Sequence, residues 1–375
     1  MSTDVLISGA GPAGAIAALV LARRGVRVTL VDRARFPREK LCGDTINPGA
    51  LSILRRLGLE RLTEGALPVR GMIVTGHGVT VTGEYEDGLQ GVAISRRVFD
   101  ERLVAAAAAA GAQVEEGVLV RGPVVETTTG AVLGLQLVTP SGTLERRASR
   151  LAIAADGRAS RVARAAGLVR THAGPRRWAV GAIFEGVTGL TEFGEMHVRA
   201  GRYIGIAPLP GGFANSCVVT ADRKALLDRD LLVASIRQQP EIAPRFKGAR
   251  MVSAITVLGP LAVETKSAGT TGLLLAGDAA GFIDPMTGDG LRFAFRGGEL
   301  AAEEALCVMN EGWNGAHLRL GAARQREFRA KWRFNRSLRA LAGSPRAVRA
   351  AGLFASLSPS ALRHVIGYAG DAGLA

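Results

Sequence analysis

Gly9-x-Gly11-x-x-Gly14 stands between a short apolar run, Val5–Ser8, and a helical stretch that opens with Pro12 and Ala13 and stops at Gly25. A second β-branched run, residues 26–31, closes on Asp32, eighteen residues after the last glycine. The first glycine allows a tight turn, the second lets the backbone approach a pyrophosphate, and the third lets helix and strand pack closely. The helix N-terminus adds unpaired N–H groups and a partial positive charge. Asp32 is the acid that accepts from a ribose hydroxyl. Strand, glycine turn, helix, strand and acid make a dinucleotide-binding unit. This motif alone leaves FAD and NAD undistinguished.

Other residues with chemical potential follow in order. They are Asp32-Arg33-x-x-Phe36-Pro37-Arg38-Glu39-Lys40-Leu41-Cys42-Gly43-Asp44, then Ile94-x-Arg96-x-x-Phe99-Asp100-x-x-Leu103. Next come Asp156-Gly157-x-x-Ser160-x-Val162 and Gly277-Asp278-x-x-Gly281-x-x-Asp284-Pro285-x-x-Gly288-Asp289-Gly290. Together they resemble flavoproteins of the geranylgeranyl reductase and aromatic hydroxylase superfamily (para-hydroxybenzoate hydroxylase-like, group A flavin monooxygenases), over the chain up to residue 308. The resemblance implies FAD as cofactor. It implies Arg33, Cys42 and Gly43 near the cofactor, Arg96 at its phosphate–ribityl region, Asp156 and Gly157 ordering the pyrophosphate, and Gly277 and Asp278 at a ribityl hydroxyl. Arginine suits a phosphate by paired donation, and an acid suits a polyol by accepting its protons. Pro285, Gly288, Asp289 and Gly290 are expected against the isoalloxazine. A helix starting near Gly290 would aim its positive end at the ring edge that becomes anionic on reduction.

Candidates for catalysis are Cys42, Asp44, His197 and Tyr203. Cys42 is either a nucleophile or a packed thiol, with no histidine near it in sequence to activate it. Asp44 and Thr45 are placed to position substrate or the ribityl chain. His197, Arg202 and Tyr203 are polar residues on an apolar roof (196–212) suited to acid–base work or phenol recognition. The roof favours a hydrophobic substrate. Three scattered cysteines and five histidines show no metal-ligand spacing, so no metal is expected.

These residues require particular elements around them. Helix–strand units recur at 97–110 with 113–120, at 151–155, and at 272–276 followed by a helix over 290–309, while 69–85 and 176–222 alternate apolar and polar residues as strands do. The fold class is α/β, with a Rossmann-like (glutathione-reductase-type) FAD-binding domain, discontinuous over 1–65, 91–172 and 262–310. A mixed β-sheet substrate domain, 66–90 and 173–261, is inserted, and a basic helical region, 311–375, is appended.

The formal net charge is +14, but lysine supplies only five of the 47 basic residues. From Arg319 to Arg349 there are ten basic residues against one acid, interleaved with Phe328, Trp332, Phe334, Leu338 and Leu341. Such a helix fits an anionic membrane surface or an acidic partner, or else packs its apolar face on the body and leaves the charges solvated. No nucleic-acid module accompanies the charge. With neither a signal peptide nor an apolar span, the expected location is the cytoplasm, free or at the inner membrane face.

The leading functional expectation is a monooxygenase that uses NAD(P)H as transient reductant and dioxygen to hydroxylate an aromatic or lipid-like molecule. The alternative is a reductase of isoprenoid double bonds, favoured by Cys42-Gly43-Asp44 and the basic C-terminus. The stretch from Tyr203 to Pro208 lacks the tryptophan-rich roof of such reductases and of flavin halogenases. A further alternative is a membrane-associated flavin-binding protein without turnover.

Overall fold

The computed structural model describes residues 3–76, 78–170, 176–223, 226 and 230–374. Its helices are α1 (Pro12–Ala22), α2 (Pro48–Arg56), α3 (Arg96–Ala109), α4 (Arg161–Ala165), α5 (Leu231–Arg237), α6 (Gly290–Glu311), α7 (Ala316–Ala342), α8 (Pro345–Leu357) and α9 (Pro359–Ala369). Several starts are written in the sequence. Asn47, Ser95, Ser160 and Ser344 each accept a backbone N–H from the first turn of α2, α3, α4 and α8.

A six-stranded sheet runs in the spatial order 269–270, 273–275, 151–154, 5–8, 28–32, 113–116. Val5–Ser8 lies inside, paired in parallel with Val28–Asp32 on one side and Leu151–Ala154 on the other. Its strands come from three separated stretches of chain, so the dinucleotide unit is discontinuous. Both faces are covered, which is why Val5–Ser8 and Leu151–Ala154 are apolar without alternation. Ile7 and Ile153 face a cluster with Ile16, Leu19, Phe99 and Phe295 of α1, α3 and α6. Leu6 and Ala152 face Val120, Leu135 and Val162.

That second cluster contains a layer absent from the sequence reading, an antiparallel sheet of Leu119–Val125, Val132–Val138 and Leu144–Ala148. The single strand expected over 113–120 divides there. Gly117, at φ 75°, turns the chain, and Gln113–Glu116 stays in the parallel sheet while Leu119 starts the new one.

An eight-stranded mixed sheet carries the inserted part, with Phe193–Arg199 parallel to Gly71–Gly76 and antiparallel to Arg202–Leu209. One face packs on α5 through Val180, Ile204, Val218 and Leu232. The opposite face looks into a cavity.

α6 crosses α1 at backbone distance. A Cβ on Gly298 would lie 2.4 Å from the Ala13 carbonyl oxygen, and one on Gly14 would lie 1.9 Å from that of Gly9. The basic tract is not one helix. α7 ends at Gly343, and Ser344 with Pro345 starts α8. Phe328 is fully buried, and Arg324 and Lys331 are buried with it. No described helix is long and apolar enough to cross a membrane.

Gly298→Ala is expected to destabilise the protein by about 1–3 kcal/mol, the usual cost of overpacking a rigid contact. Equilibrium denaturation measures it, with Gly248→Ala, where a Cβ would meet open space, as the comparison.

Candidate functional site

A cavity of about 1510 Å³ runs from the Gly9–Gly14 turn to the C-terminal helices. Gly9, Gly11, Pro12, Ala13, Asp32, Arg33, Cys42, Gly43, Arg96, Asp156, Gly157, Gly277, Asp278, Pro285, Gly288 and Gly290 all line it. Residues as far apart as 9 and 290 are therefore brought to one wall. Gly14 is not on that wall, because its missing side chain is what lets α1 meet the turn.

Asp32 accepts from the N–H groups of Ala10 and Ala34, both at 2.8 Å, so its carboxylate is partly engaged in holding the turn. Asp156 accepts at 2.9 Å from the Arg161 N–H at the start of α4. Burial raises its carboxyl above the usual range. Arg96 forms a two-point ion pair with Asp100 at 2.7 and 2.8 Å. Burial alone would depress the guanidinium, but Asp100 and Cys42 more than offset it and raise it further. Asp278 lies 3.7 Å from Arg158, with Lys40, Arg96 and Arg324 also acting on it; burial still raises its carboxyl.

Three cavity residues carry buried polar atoms with no hydrogen-bond partner in the protein: Nη1 of Arg38 and of Arg158, and Oδ1 of Asp156. Two cationic donors and a carboxylate oxygen without partners, on residues that line one space, suit the diphosphate and hydroxyl groups of a dinucleotide. The residues present fit FAD.

The FAD binding domain family matches residues 2–330. The chain belongs to that family. A conditioned medium factor receptor 1 from Dictyostelium discoideum is 29% identical over 82% of this chain, which spans 64% of that relative's length. Digeranylgeranylglycerophospholipid reductase 2 of Methanopyrus kandleri is 31% identical, covering 83% of this chain and 78% of its own. Menaquinone reductase of Mycobacterium tuberculosis is 30% identical, covering 80% and 76%. Among solved structures, a geranylgeranyl bacteriochlorophyll reductase-like protein from Thermoplasma acidophilum superposes with TM-score 0.80 at 22% identity, covering 91% of this chain and 88% of its own. A flavin-dependent brominase variant superposes with TM-score 0.84 at 20% identity, covering 98% and 94%. At such identities these likenesses describe the fold.

Three residues expected at the site lie elsewhere. In Phe193–Arg199 the residues Gly194, Met196 and Val198 face the cavity, so His197 points to the opposite side. There it is buried, 2.9 Å from Thr75 Oγ1 and 3.0 Å from Glu195, which also pairs with Arg245. Arg202 is on that same far face, bound to Ser235 and Gln238. Asp289 turns away from the cavity: its Oδ1 accepts from Asn47 Nδ2 at 3.1 Å and lies 3.2 Å from Lys331 Nζ. The one-residue pleat and the direction of the α6 start explain all three.

Tyr203 does line the cavity, and its hydroxyl donates to Asp284 Oδ1 at 2.9 Å. Burial and the Asp284 charge push the phenol well above its usual value, so it stays protonated. Cys42 touches the cavity, and its carbonyl accepts from Asn215 Nδ2 at 2.9 Å. Asp44 sits behind it, 3% exposed and outside the lining, at φ 53°. Its carboxylate accepts from the Arg96 N–H at 3.1 Å and from Asn215 Nδ2, joining the 42–44 segment to α3 and to the large sheet. Burial pushes its carboxyl up to about 7.

Sequence reasoning missed Arg38, Lys40, Arg158 and Asn215 as cavity residues. Arg38 and Lys40 lay inside a quoted motif, and Arg158 directly follows Asp156-Gly157. Asn215 carries no local signal; only the pairing of Phe213–Thr220 with its neighbours places it. Among the described residues no group of three or more His, Cys, Asp or Glu is placed to hold a metal.

Two outcomes are expected. Arg158→Gln weakens FAD affinity about 10–100-fold, the range for losing a charged hydrogen bond, as read by flavin fluorescence titration. The native state also keeps a proton on Asp44 that the unfolded chain releases above about pH 4. That stabilisation is complete below pH 4 and is lost as pH rises to about 7, at up to roughly 1.4 kcal/mol per pH unit. Asp44→Asn should flatten this slope in denaturant melts of the apoprotein at pH 5 and 8.

Proposed function

We propose that this chain is an FAD-dependent oxidoreductase that saturates carbon–carbon double bonds in an isoprenoid chain borne by a lipid or a quinone. The observation that carries this reading is the far half of the cavity. On three strands of the large sheet, apolar residues two apart face inward: Met72 and Val74, Val79 and Val81, Met196 and Val198. α7 and α8 close the other side with Phe334, Leu338 and Val348. A wall of this kind binds hydrocarbon by area, and its length suits a chain better than a single ring. The relatives named for reductase activity on prenyl lipids and menaquinone support the same choice.

When bound, FAD supplies the two electrons of the reduction as hydride, with NAD(P)H as the proposed transient source. The protein's own tasks are then few. The apolar wall lays the double bond in a fixed place and keeps water away from it. Hydride at one carbon leaves the other to take a proton, and the Cys42 thiol, which touches the cavity beside Arg96, is the proposed donor. Asp44 and Asn215 hold the Cys42–Gly43 backbone in place. Tyr203, committed to Asp284, is a wall residue rather than an acid.

Hydroxylation is the second reading, and the Tyr203–Asp284 pair favours it as a polar spot where a phenol could bind. Anaerobic incubation of the reduced enzyme with a menaquinone and with a geranylgeranyl lipid separates the two. Products heavier by two hydrogens per bond are expected without oxygen. Substrate-dependent oxygen uptake, with no anaerobic product, would replace reduction by hydroxylation. Cys42→Ala is expected to lower kcat about 100-fold, the ordinary contribution of a general acid, with FAD content unchanged. Val198→Trp should raise KM for long prenyl chains much more than for short ones.

A further inference from the structure

We infer that the mouth of the cavity, framed by α8 and α9, docks on an anionic phospholipid bilayer, so that the substrate chain enters without crossing water. This rests on the reading above that the substrate is carried by a lipid or lipid-like quinone.

Three large apolar side chains are both cavity wall and outer surface: Phe354 is 62% exposed, Val365 45% and Leu341 38%. The cavity interior therefore continues without interruption onto the surface of the protein. Leu353 and Tyr368 are exposed beside them. A contiguous apolar rim of this kind is unfavourable in water and marks a contact site.

The helix that bears the rim cannot turn to hide it. In α8, Arg346, Arg349 and Leu353 recur at helical spacing on the exposed face. The opposite face is fixed by Gly352, where a Cβ would lie 2.4 Å from a Val79 methyl, and by Val348 in the cavity wall. α9 exposes Arg363 and His364 next to Val365.

The segment that bears this rim carries charge of one sign. Residues 330–370 contain seven lysines and arginines and no acid. Glu86, from outside this stretch, meets α9 at His364, 3.3 Å away. Apolar side chains flanked by exposed arginines match a headgroup layer over an acyl interior. A protein seated on the rim would plug the opening. A bilayer presents at that opening the same hydrocarbon medium that lines the cavity, so transfer of a prenyl chain inward costs little.

The test uses the FAD-loaded full chain, with vesicles of pure phosphatidylcholine and vesicles that also contain phosphatidylglycerol. Co-sedimentation is expected with the anionic vesicles and should persist in some measure at high salt. Arg346→Glu and Arg363→Glu should each weaken it at least about fivefold, and Leu353→Ser about tenfold. These variants lie outside the cavity wall, so turnover of a short, water-soluble prenyl substrate should be unchanged while turnover of a vesicle-borne one falls.

Absence of binding to either vesicle, with the short substrate still reduced, would overturn the docking and leave the reductase reading standing. Binding that depends on Leu353 and the arginines, with no substrate reduced, would keep the docking and remove the reductase reading. A dimer dispersed by Leu353→Ser, without vesicle binding, would give this face to a second copy and also overturn the proposal.

Discussion

Backbone-to-backbone contact at the start of α1 is the constraint on which the rest of the molecule depends. Gly14 lies against the Gly9 carbonyl, and Ala13 lies against Gly298 of α6. The first contact fixes the turn that meets the dinucleotide. The second fixes where α6 begins, and therefore where Pro285, Gly288 and Gly290 line the cavity. An alanine at either glycine would have to push rigid elements apart, because the atoms it meets are backbone and cannot swing aside. The floor of the nucleotide end and the floor of the reaction chamber are thus one packing solution.

A buried ionic hub ties the C-terminal helices to that floor. Lys331 of α7 reaches Asp289 at 3.2 Å and Asp371 at 3.3 Å, and it donates to the carbonyls of Tyr368 and Ala369 at the end of α9. Asn47 completes the set from the start of α2. Burial raises the Asp289 carboxyl to about 6, with Lys331 working against that rise. Truncating one member of such a cluster leaves its partners uncompensated, at a cost of about 3–5 kcal/mol. Its effect in the fold is to seat α9, and with it the apolar rim, against the loop that precedes α6. The cation that sequence reading assigned to a solvated or membrane-facing stripe is in fact an internal tie.

What was legible followed from local rules. The glycine turn, the Asp156-Gly157 and Gly277-Asp278 stretches, and the helix stops at Gly25 and Gly111 depend on neighbours a few residues away. What was not legible depends on register. Val198 opposes Tyr203 across the strands, so Tyr203 shares its face while His197, one residue back, cannot. Applying the two-residue period of a strand to 193–199 and 202–209 together would have separated the two. The antiparallel layer over 119–148 was hidden for a different reason. Its outward face carries exposed apolar residues, Val125, Leu133 and Leu144, so apolar and polar residues do not alternate cleanly there. Asn215 and the Lys331 hub join residues far apart in sequence, and no local pattern encodes such meetings.

The same parity argument bears on chemistry. Strand pleating sends Glu195 and His197 to meet Arg245 in a satisfied cluster behind the sheet, and leaves mainly aliphatic and small residues toward the cavity. Charged groups on the cavity wall are concentrated where Arg38, Lys40, Arg96, Arg158 and Asp278 gather, on the segments expected to face the nucleotide. A site divided in this way separates two kinds of recognition. One end has directional polar groups with open valences; the other has area and exclusion of water. An aromatic acid would need fixed charge at the apolar end, and among the described wall residues there the Tyr203–Asp284 pair already satisfies itself. A hydrocarbon chain needs nothing there but contact, which is the physical reason behind the proposal of a prenyl substrate.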